Sequence, residues 1–440
     1  MFVLVLLPVV LFLYTPAHVT ALRNVTILAL LLVVAFSVRR WWDRDWLREV
    51  RVPLVLLGVL QLWLVIIALL LSPEPSASLR EWIGEWFRAT LVFAIAAASG
   101  RLLIADARVS AHLPAVTGAM IVLPMAILSL IHCALAIKYY TPQSYTAIYF
   151  GPSDHRANIT YVVSLAIPVV LVDLYQRLCA QSRLLPVPSF VSVSLLLILL
   201  ATVFTSNTRN GILVVVAVVA AWGFWVLRRM TASSRTKSGV FALLLVAAAL
   251  IGGLTFAVAL DDRWERLVRT ASAAAEYDQY PAWHAFPDVP LPDSPDGEPL
   301  DVSAYQRIAF AIEGRRLLED HPWGTGLGRD AFKVLVANKY SGADVSHAHI
   351  GVLDFGLSAG FPGLAILAAF LVALGHSGWS MAVRRGNALG LVLLLTVCIF
   401  SLRTLVDNTL RDHILEQFML VFGILLATAT SVKSAGSRER

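Results

Sequence analysis

Two histidines and an aspartate stand close together near residue 350. The segment Ser346-His347-Ala-His349-Ile-Gly-Val-Leu-Asp354 leads from a long polar stretch into an apolar run. Imidazole has the side-chain pKa nearest neutrality, so one of these histidines could act as a general base or as a hydrogen-bond donor. Ionisable groups at the edge of a membrane span are costly, which favours a functional role. The alternatives are that the histidines are water-exposed interfacial residues and that Asp354 forms a structural salt bridge.

The His-x-His spacing is also found in metal sites. No cluster of Glu, Asp or Cys at ligand spacing accompanies it, so a metal site is disfavoured. Cys133, Cys179 and Cys398 show neither CxxC nor Cys/His spacing, and they predict neither a zinc site nor a disulfide framework.

Two arginines have positions that suit anion binding. Arg209 lies in a short polar turn between two apolar runs, where its planar guanidinium could bind a diphosphate bidentately. Its alternative role is to reach lipid headgroups. Arg307 falls in the first turn of a predicted loop helix, where a cation opposes the helix dipole, so a ligand role competes with an ordinary solvated charge. Five more cations could line the same face or be structural: Arg80, Lys138, Arg156, Arg403 and Arg411.

Apolar segments must position these residues. The chain of 440 residues is 58% hydrophobic and only 15% charged, whereas soluble domains contain roughly a quarter charged residues. We therefore predict an all-α polytopic membrane protein. The net charge of +6 arises from short Lys/Arg clusters between apolar runs, which is the pattern of cytoplasmic loops and argues against nucleic-acid binding.

About twelve apolar runs are candidates for transmembrane helices. Basic clusters recur in alternate connections, which predicts that both termini are cytoplasmic. The expected organisation is about nine helices in residues 1–260, a large periplasmic loop in 261–348, about three helices in 349–431 and a cytoplasmic tail in 432–440. The candidate spans are 1–16, 22–38, 52–72, 86–104, 111–137, 157–178, 187–205, 209–228, 239–260, 350–375, 387–405 and 414–431.

The long polar loop has two parts. Pro281 to Pro299 is rich in Pro and Asp and predicts an irregular surface segment. Ser303 to Gln306 reads as a capping box that starts a helix ending at Asp320-His-Pro322. The turn from Gly324 to Gly328 looks like a phosphate loop, but it lacks a preceding strand, so we assign it no role in binding nucleotides.

The order of these segments resembles the O-antigen ligase family and the related O-antigen polymerases. The resemblance runs from Ser206 to Gly363 and includes the turn at Arg209, the Arg307 helix, "DHPWGTGLG" and "SHAHIGVLDFGLSAGFPG". It implies a GT-C-like membrane glycosyltransferase. Such a ligase transfers O-antigen glycan from undecaprenyl diphosphate to lipid A-core oligosaccharide at the periplasmic face of the bacterial inner membrane. The implied reaction is inverting and metal-independent, with no cofactor.

The resemblance also implies roles for individual residues. Arg209 and Arg307 match the diphosphate-binding arginines, and His349 matches the catalytic histidine, although Ile350 replaces the asparagine that normally follows it. A glutamate often stands where this chain has Ser358, which argues against a carboxylate catalyst there. The further candidates for substrate binding are His347, Asp354, Arg156 and Arg80.

Other functions are possible for such a chain. An O-antigen polymerase or a protein O-oligosaccharyltransferase would use the same anion site with another acceptor. A transporter or flippase of lipid-linked sugars would place charged residues near the centres of the spans. The candidate residues gather at the outer ends instead, which favours an enzyme. Its expected partners are the lipid-linked donor, the lipid A-core acceptor and membrane lipids, but no nucleic acid.

Overall fold

The computed structural model describes residues 2–16, 18–139, 156–231, 237–294 and 297–430. Within these residues the chain forms helices and connecting loops, with no β-strand. The prediction of an all-α polytopic membrane protein is therefore confirmed. The predicted tail, 432–440, lies outside the described residues.

Apolar helices occupy all twelve predicted regions. Eight of the described helices, or nine if a pair bent by 80° forms one span, are long and apolar enough to cross a membrane. Three are shorter, and the shortest has 12 residues, too few to cross about 30 Å of hydrocarbon unaided. The helices of the bundle are α1 Phe2–Leu13, α2 Thr20–Phe36, α3 Val38–Trp41, α4 Arg44–Glu49, α5 Arg51–Leu70, α6 Pro75–Trp82, α7 Arg88–Ala105, α8 Ala107–Ser110, α9 Leu113–Tyr139, α10 Arg156–Tyr175, α11 Ser189–Thr205, α12 Arg209–Thr231 and α13 Lys237–Ala259.

The segment 261–348, called here the helical loop, packs around a hydrophobic core of its own. It contains α14 Arg263–Ala275, α15 Ala282–Ala285, α16 Val302–Asp320 and α17 Ala331–Lys339. Its core includes Tyr277, Trp283, Tyr305 and Phe332. Three helices follow it: α18 Gly351–Arg385, α19 Ala388–Val406 and α20 Asp412–Ala429.

The expectation of an irregular surface segment from Pro281 to Pro299 is partly wrong. Trp283 lies in α15 and is only 2% exposed, and its ring packs 5.5 Å from Tyr277 and 5.1 Å from Tyr340. Burial of this large aromatic ring outweighs the local turn preference of the neighbouring prolines.

The predicted helix that carries Arg307 is present as α16 and ends at Asp320, as expected. Its start differs from the prediction. Asp301, and not Ser303, is the N-cap, since its carboxylate accepts hydrogen bonds from the backbone amides of Ser303 and Ala304. Arg307 therefore lies in the second turn, so the argument that it opposes the helix dipole does not hold.

Helix α18 is kinked at Gly360, whose φ of 70° and ψ of −179° are accessible almost only to glycine. Pro362, two residues later, has no backbone amide to continue the helix. The carbonyls of Leu357, Ser358 and Ala359 accept hydrogen bonds from outside the helix instead, from Thr325 N at 3.0 Å, Gly326 N at 2.9 Å and Trp63 Nε1 at 2.7 Å. The backbone carbonyls at the kink thus form hydrogen bonds with other parts of the protein, as they must where no water is present in the membrane.

The glycine-rich turn from Gly324 to Gly328 therefore has a structural role. A Cβ atom on Gly324 would lie 2.4 Å from the carbonyl oxygen of Ser358. Only a glycine permits the turn to approach the kink this closely. This contact holds the helical loop against the start of α18, directly after the two histidines.

Candidate active site

A cavity of about 570 Å³ lies between the helical loop and the end of the bundle. Three of the predicted residues, Arg209, Arg307 and His349, line it together, although 140 residues of sequence separate the first from the last. Its wall also contains apolar side chains, so the cavity has both cationic and apolar surfaces. The wall also includes Asn207, Arg263, Leu213, Leu267, Ile308, Ile312, Leu405 and Asp407.

Arg209 is held in place before any ligand binds. Its Nη2 lies 2.8 Å from Asp301 Oδ2, and its Nη1 donates a hydrogen bond to the carbonyl of Arg263 at 3.0 Å. The turn that carries it packs against α10 because Gly211 has no side chain, and a Cβ atom there would lie 2.9 Å from Thr160 Oγ1. The guanidinium is thus fixed at the cavity wall and is only 15% exposed.

Arg307 differs from Arg209 in having free hydrogen-bonding capacity. It is half-buried and lines the cavity. Within the described residues it has neither a hydrogen bond nor an ion pair. Its five N–H donors are therefore available to an anion in the cavity.

His349 is placed by an unusual backbone conformation. Its φ of 58° lies in the left-handed region, which is uncommon for a residue with a side chain. The imidazole stacks on Phe310, with ring centroids 6.1 Å apart and an interplanar angle of 6°. Helix α16 therefore supplies both Arg307 and the ring that orients His349.

Asp354 stabilises that backbone. It lies in the first turn of α18, and its Oδ1 accepts a hydrogen bond from the Ala348 amide at 2.8 Å. Its Oδ2 accepts one from Asn408 Nδ2 at 2.9 Å. Asp354 is 7% exposed and does not line this cavity, and its two contacts hold the backbone next to His349.

His347 lies behind His349 and does not line the cavity. The two rings are 4.0 Å apart, and the Nδ1 of His347 is in hydrogen-bond contact with Ser346 Oγ at 2.8 Å. Between the two histidines, the geometry gives His349 direct access to the cavity.

Both imidazoles are neutral at pH 7. Burial lowers the pKa of His349 to about 3, with further lowering by His347, Arg307 and Arg411. Burial also lowers the pKa of His347 to about 4, and Arg411 and Arg307 act in the same direction. A neutral His349 has a free nitrogen lone pair and can accept a proton.

Two of the predicted substrate-binding residues, Arg80 and Arg156, are not among the described residues that line this cavity. Arg80 lies on α6, is exposed, and lines a separate cavity. Arg156 is the first residue of α10, but its side chain lies outside the described part of the structure.

Two of the other outer cations have structural partners. Arg403 is fully buried, donates hydrogen bonds to Ser164 Oγ and the Thr160 carbonyl, and lies over the Tyr161 ring. Arg411 forms an ion pair with Asp412 at 3.2 Å.

Sequence reasoning missed three polar residues of the cavity wall. Arg263 pairs with both oxygens of Asp261 and donates to Asn207 Oδ1 at 2.9 Å. Asp407 contributes a half-buried carboxylate. Arg263 follows a predicted span, so the argument used for Arg209 would have found it.

The described residues contain no group of three or more His, Cys, Asp or Glu side chains arranged to hold a metal ion. The arrangement consists of a free arginine, two arginines already fixed by carboxylates, and a neutral imidazole at one cavity. Such a site can bind an anionic group and accept a proton beside it.

Residues 194–368 match the family model of O-antigen ligase. The match spans Arg209, the helical loop, His349 and the kink of α18. No curated protein matches the chain.

Proposed function

We propose that this chain, whose residues 194–368 match the O-antigen ligase family model, transfers a glycan from undecaprenyl diphosphate to lipid A-core oligosaccharide. The family comprises glycosyltransferase-type enzymes that act on lipid-linked glycans and lipid acceptors. The chain is a multi-pass membrane protein, and in this proposal its cavity opens at the periplasmic face of the inner membrane.

One observation carries the proposal: a free arginine, Arg307, and a neutral histidine, His349, line the same cavity as Arg209. The donor diphosphate would bind to Arg307, with Arg209 and Arg263 supplying further positive charge. Apolar wall residues such as Leu213 and Ile308 suit the lipid part of the donor.

The reaction would be a single displacement with inversion. The acceptor hydroxyl oxygen forms a bond to the anomeric carbon while the bond from that carbon to the diphosphate oxygen breaks. The leaving diphosphate retains the electron pair, and the arginines stabilise the negative charge that develops on it. His349 accepts the proton of the hydroxyl, as a general base.

Donor binding would itself activate the base. In the free protein, burial and, to a smaller extent, nearby cations hold the pKa of His349 at about 3, which makes it a weak base. A diphosphate bound to Arg307 neutralises one of those cations and adds negative charge nearby, so the pKa rises. Proton transfer then becomes more favourable only when the donor is in place.

Reconstitution of the purified protein in lipid bilayers tests the proposal. The protein is supplied with undecaprenyl-diphosphate glycan and lipid A-core, with and without EDTA. Glycan attached to lipid A-core in both conditions is the expected result. Longer lipid-linked glycans without attachment would identify a polymerase instead, and loss of activity with EDTA would overturn the metal-independent mechanism. A His349→Ala variant that still attached glycan would contradict the role of His349.

A further inference from the structure

A second cavity, of about 290 Å³, is lined by both arginines and carboxylates. Arg23 of α2, Arg80 of α6 and Arg88 of α7 line it, together with Arg329 of the helical loop. The segment 407–413 contributes to both cavities: Asp407 lines the first, and Asp412 and His413 line the second. Only about six residues of chain therefore connect the walls of the two sites.

The carboxylates that line the second cavity are Glu81, Glu85 and Asp412, and all three lie within ion-pair distance of the single Arg329. Arg329 forms ion pairs with Glu81 at 3.5 Å, Glu85 at 3.8 Å and Asp412 at 3.2 Å. Arg88 donates from Nε to the buried Glu416 at 2.6 Å. These pairs account for Arg329 and Arg88, but not for the other two arginines.

Arg23 lacks such a partner. It is only 7% exposed, and its guanidinium stacks on the Tyr14 ring with its carbon 5.0 Å from the centroid. Its buried Nε has no hydrogen-bond partner, and no described residue forms an ion pair with it. A buried cation without acceptors is unfavourable, and a bound anion would supply them.

Arg80 also has no ion pair within the described residues, and it is exposed at the rim of the same cavity. Arg23 lies in the first turn of α2, and Arg80 lies near the start of the continuous helical span Pro75–Ala105. Arginines at the ends of apolar helices lie at the depth of lipid headgroups, where phosphate groups are found.

We propose that Arg23 and Arg80 form a second anion site that binds a phosphate group of the acceptor glycolipid. This assignment rests on the proposed function, in which the donor diphosphate occupies the first cavity. A second phosphate site next to segment 407–413 then requires a second phosphorylated molecule. An acceptor anchored there would have its glycan directed past Asp412 and Asp407 toward His349.

A binding experiment without donor tests the site independently of transfer. Purified protein in nanodiscs is titrated with phosphorylated lipid A-core and with the same glycolipid after enzymatic removal of its phosphates. The Arg23→Gln/Arg80→Gln variant should bind the phosphorylated form about tenfold more weakly than the wild type, because charge-assisted bonds to phosphate are lost. Its affinity for the dephosphorylated form should equal that of the wild type.

Control variants distinguish a specific loss of phosphate binding from unfolding of the protein and from a general change in its net charge. Arg315→Gln removes an exposed arginine from α16 and should bind like the wild type. Arg23→Lys keeps the charge and should recover part of the affinity, and Arg80→Gln alone decides the question if Arg23→Gln does not fold. Equal binding of both glycolipids by the wild type would overturn the proposal. Competition by inorganic phosphate without any preference for the phosphorylated lipid would identify a free-phosphate site and would also overturn it.

Kinetics provides a second readout. The Arg23→Gln/Arg80→Gln variant should raise the KM for the acceptor about tenfold and leave the KM for the donor unchanged. A parallel rise in the donor KM would show that the second cavity serves the donor and would overturn the assignment. If the wild type transferred no glycan to lipid A-core, the proposed function would fail, and the binding experiment would still decide whether the phosphate site exists.

Discussion

Arg209 forms an ion pair of 2.8 Å with Asp301, and the same carboxylate caps the helix that carries Arg307. One buried acid therefore sets the positions of both arginines proposed to bind the diphosphate. Asp301 is 5% exposed, and the sequence does not single it out because it lies at the end of a Pro- and Asp-rich segment. Asp301 therefore fixes the position of Arg209 relative to the helix that carries Arg307.

Replacing Asp301 separates its two roles. Asp301→Asn keeps a side chain that caps helices well but removes the charge that holds Arg209. We expect a roughly tenfold loss of kcat/KM for the donor with little change in thermal stability, since arginine geometry is lost and the cap is kept. Asp301→Ala should show the same kinetic loss and also a stability lower by about 1 kcal/mol. Wild-type kinetics in Asp301→Asn would contradict the role of the ion pair.

Arg307 should be sensitive to the shape of its side chain as well as to its charge. Arg307→Gln should lower kcat by about 10²–10³, the usual effect of removing a group that stabilises developing charge. Arg307→Lys should retain part of the activity, because it keeps the charge but loses the planar fork. Both variants should reach wild-type levels in the membrane, since Arg307 has no protein partner in the described structure. Equal activity of all three proteins in the reconstituted assay would remove Arg307 from the site.

The sequence predicted correctly the features that depend on neighbouring residues, namely the helical regions and some of the helix ends. The apolar runs gave the twelve helix regions because a membrane span needs a long uninterrupted apolar segment. The same apolar runs also predicted that Arg209 and His349 lie at the ends of helices. The end of α16 was also correct, since Asp320-His-Pro322 is a local stop signal.

The errors concern contacts between distant segments. Asp301 and Ser303 are both good N-cap residues, and the apolar pattern that follows is compatible with either. Trp283 is buried only because Tyr277 and Tyr340 converge on it from other parts of the loop. The predicted side of the membrane could not show that Arg80 and Arg209 line different cavities.

Asp354 should affect catalysis through His349. Asp354→Ala removes the acceptor of the Ala348 amide, so the backbone that holds His349 in its left-handed conformation loses its anchor. We expect kcat to fall by at least about tenfold while the KM for the donor stays near the wild-type value, because the arginines are untouched. Asn408→Ala breaks only the second bond of Asp354 and should have a smaller effect. A donor KM that rose as much as kcat fell would indicate that Asp354 contacts the substrate instead.

The pH dependence of the reaction should differ between the free protein and the donor complex. A general base works in its neutral form, so activity is lost as the pH falls through the pKa of His349. That pKa is about 3 in the free protein, because burial and the neighbouring His347, Arg307 and Arg411 disfavour the charged imidazole. Negative charge on a bound diphosphate offsets the charge of those cations and so raises the pKa of His349. The acidic limb of kcat, which reports the complex, should therefore lie at least about one pH unit above the limb of kcat/KM.

Two variants test whether His349 is the group that titrates in the acidic limb. His347→Gln removes a neighbour that lowers the pKa of His349, so the acidic limb of kcat/KM should move to higher pH while the limb of kcat moves less. His349→Gln should lose most activity at every pH, because the proton acceptor itself is gone. Coincident limbs for kcat and kcat/KM in the wild type would show that donor binding does not tune the base. An unchanged acidic limb in His349→Gln would show that another group titrates, and the half-buried Asp407 carboxylate at the same cavity would be the next to replace.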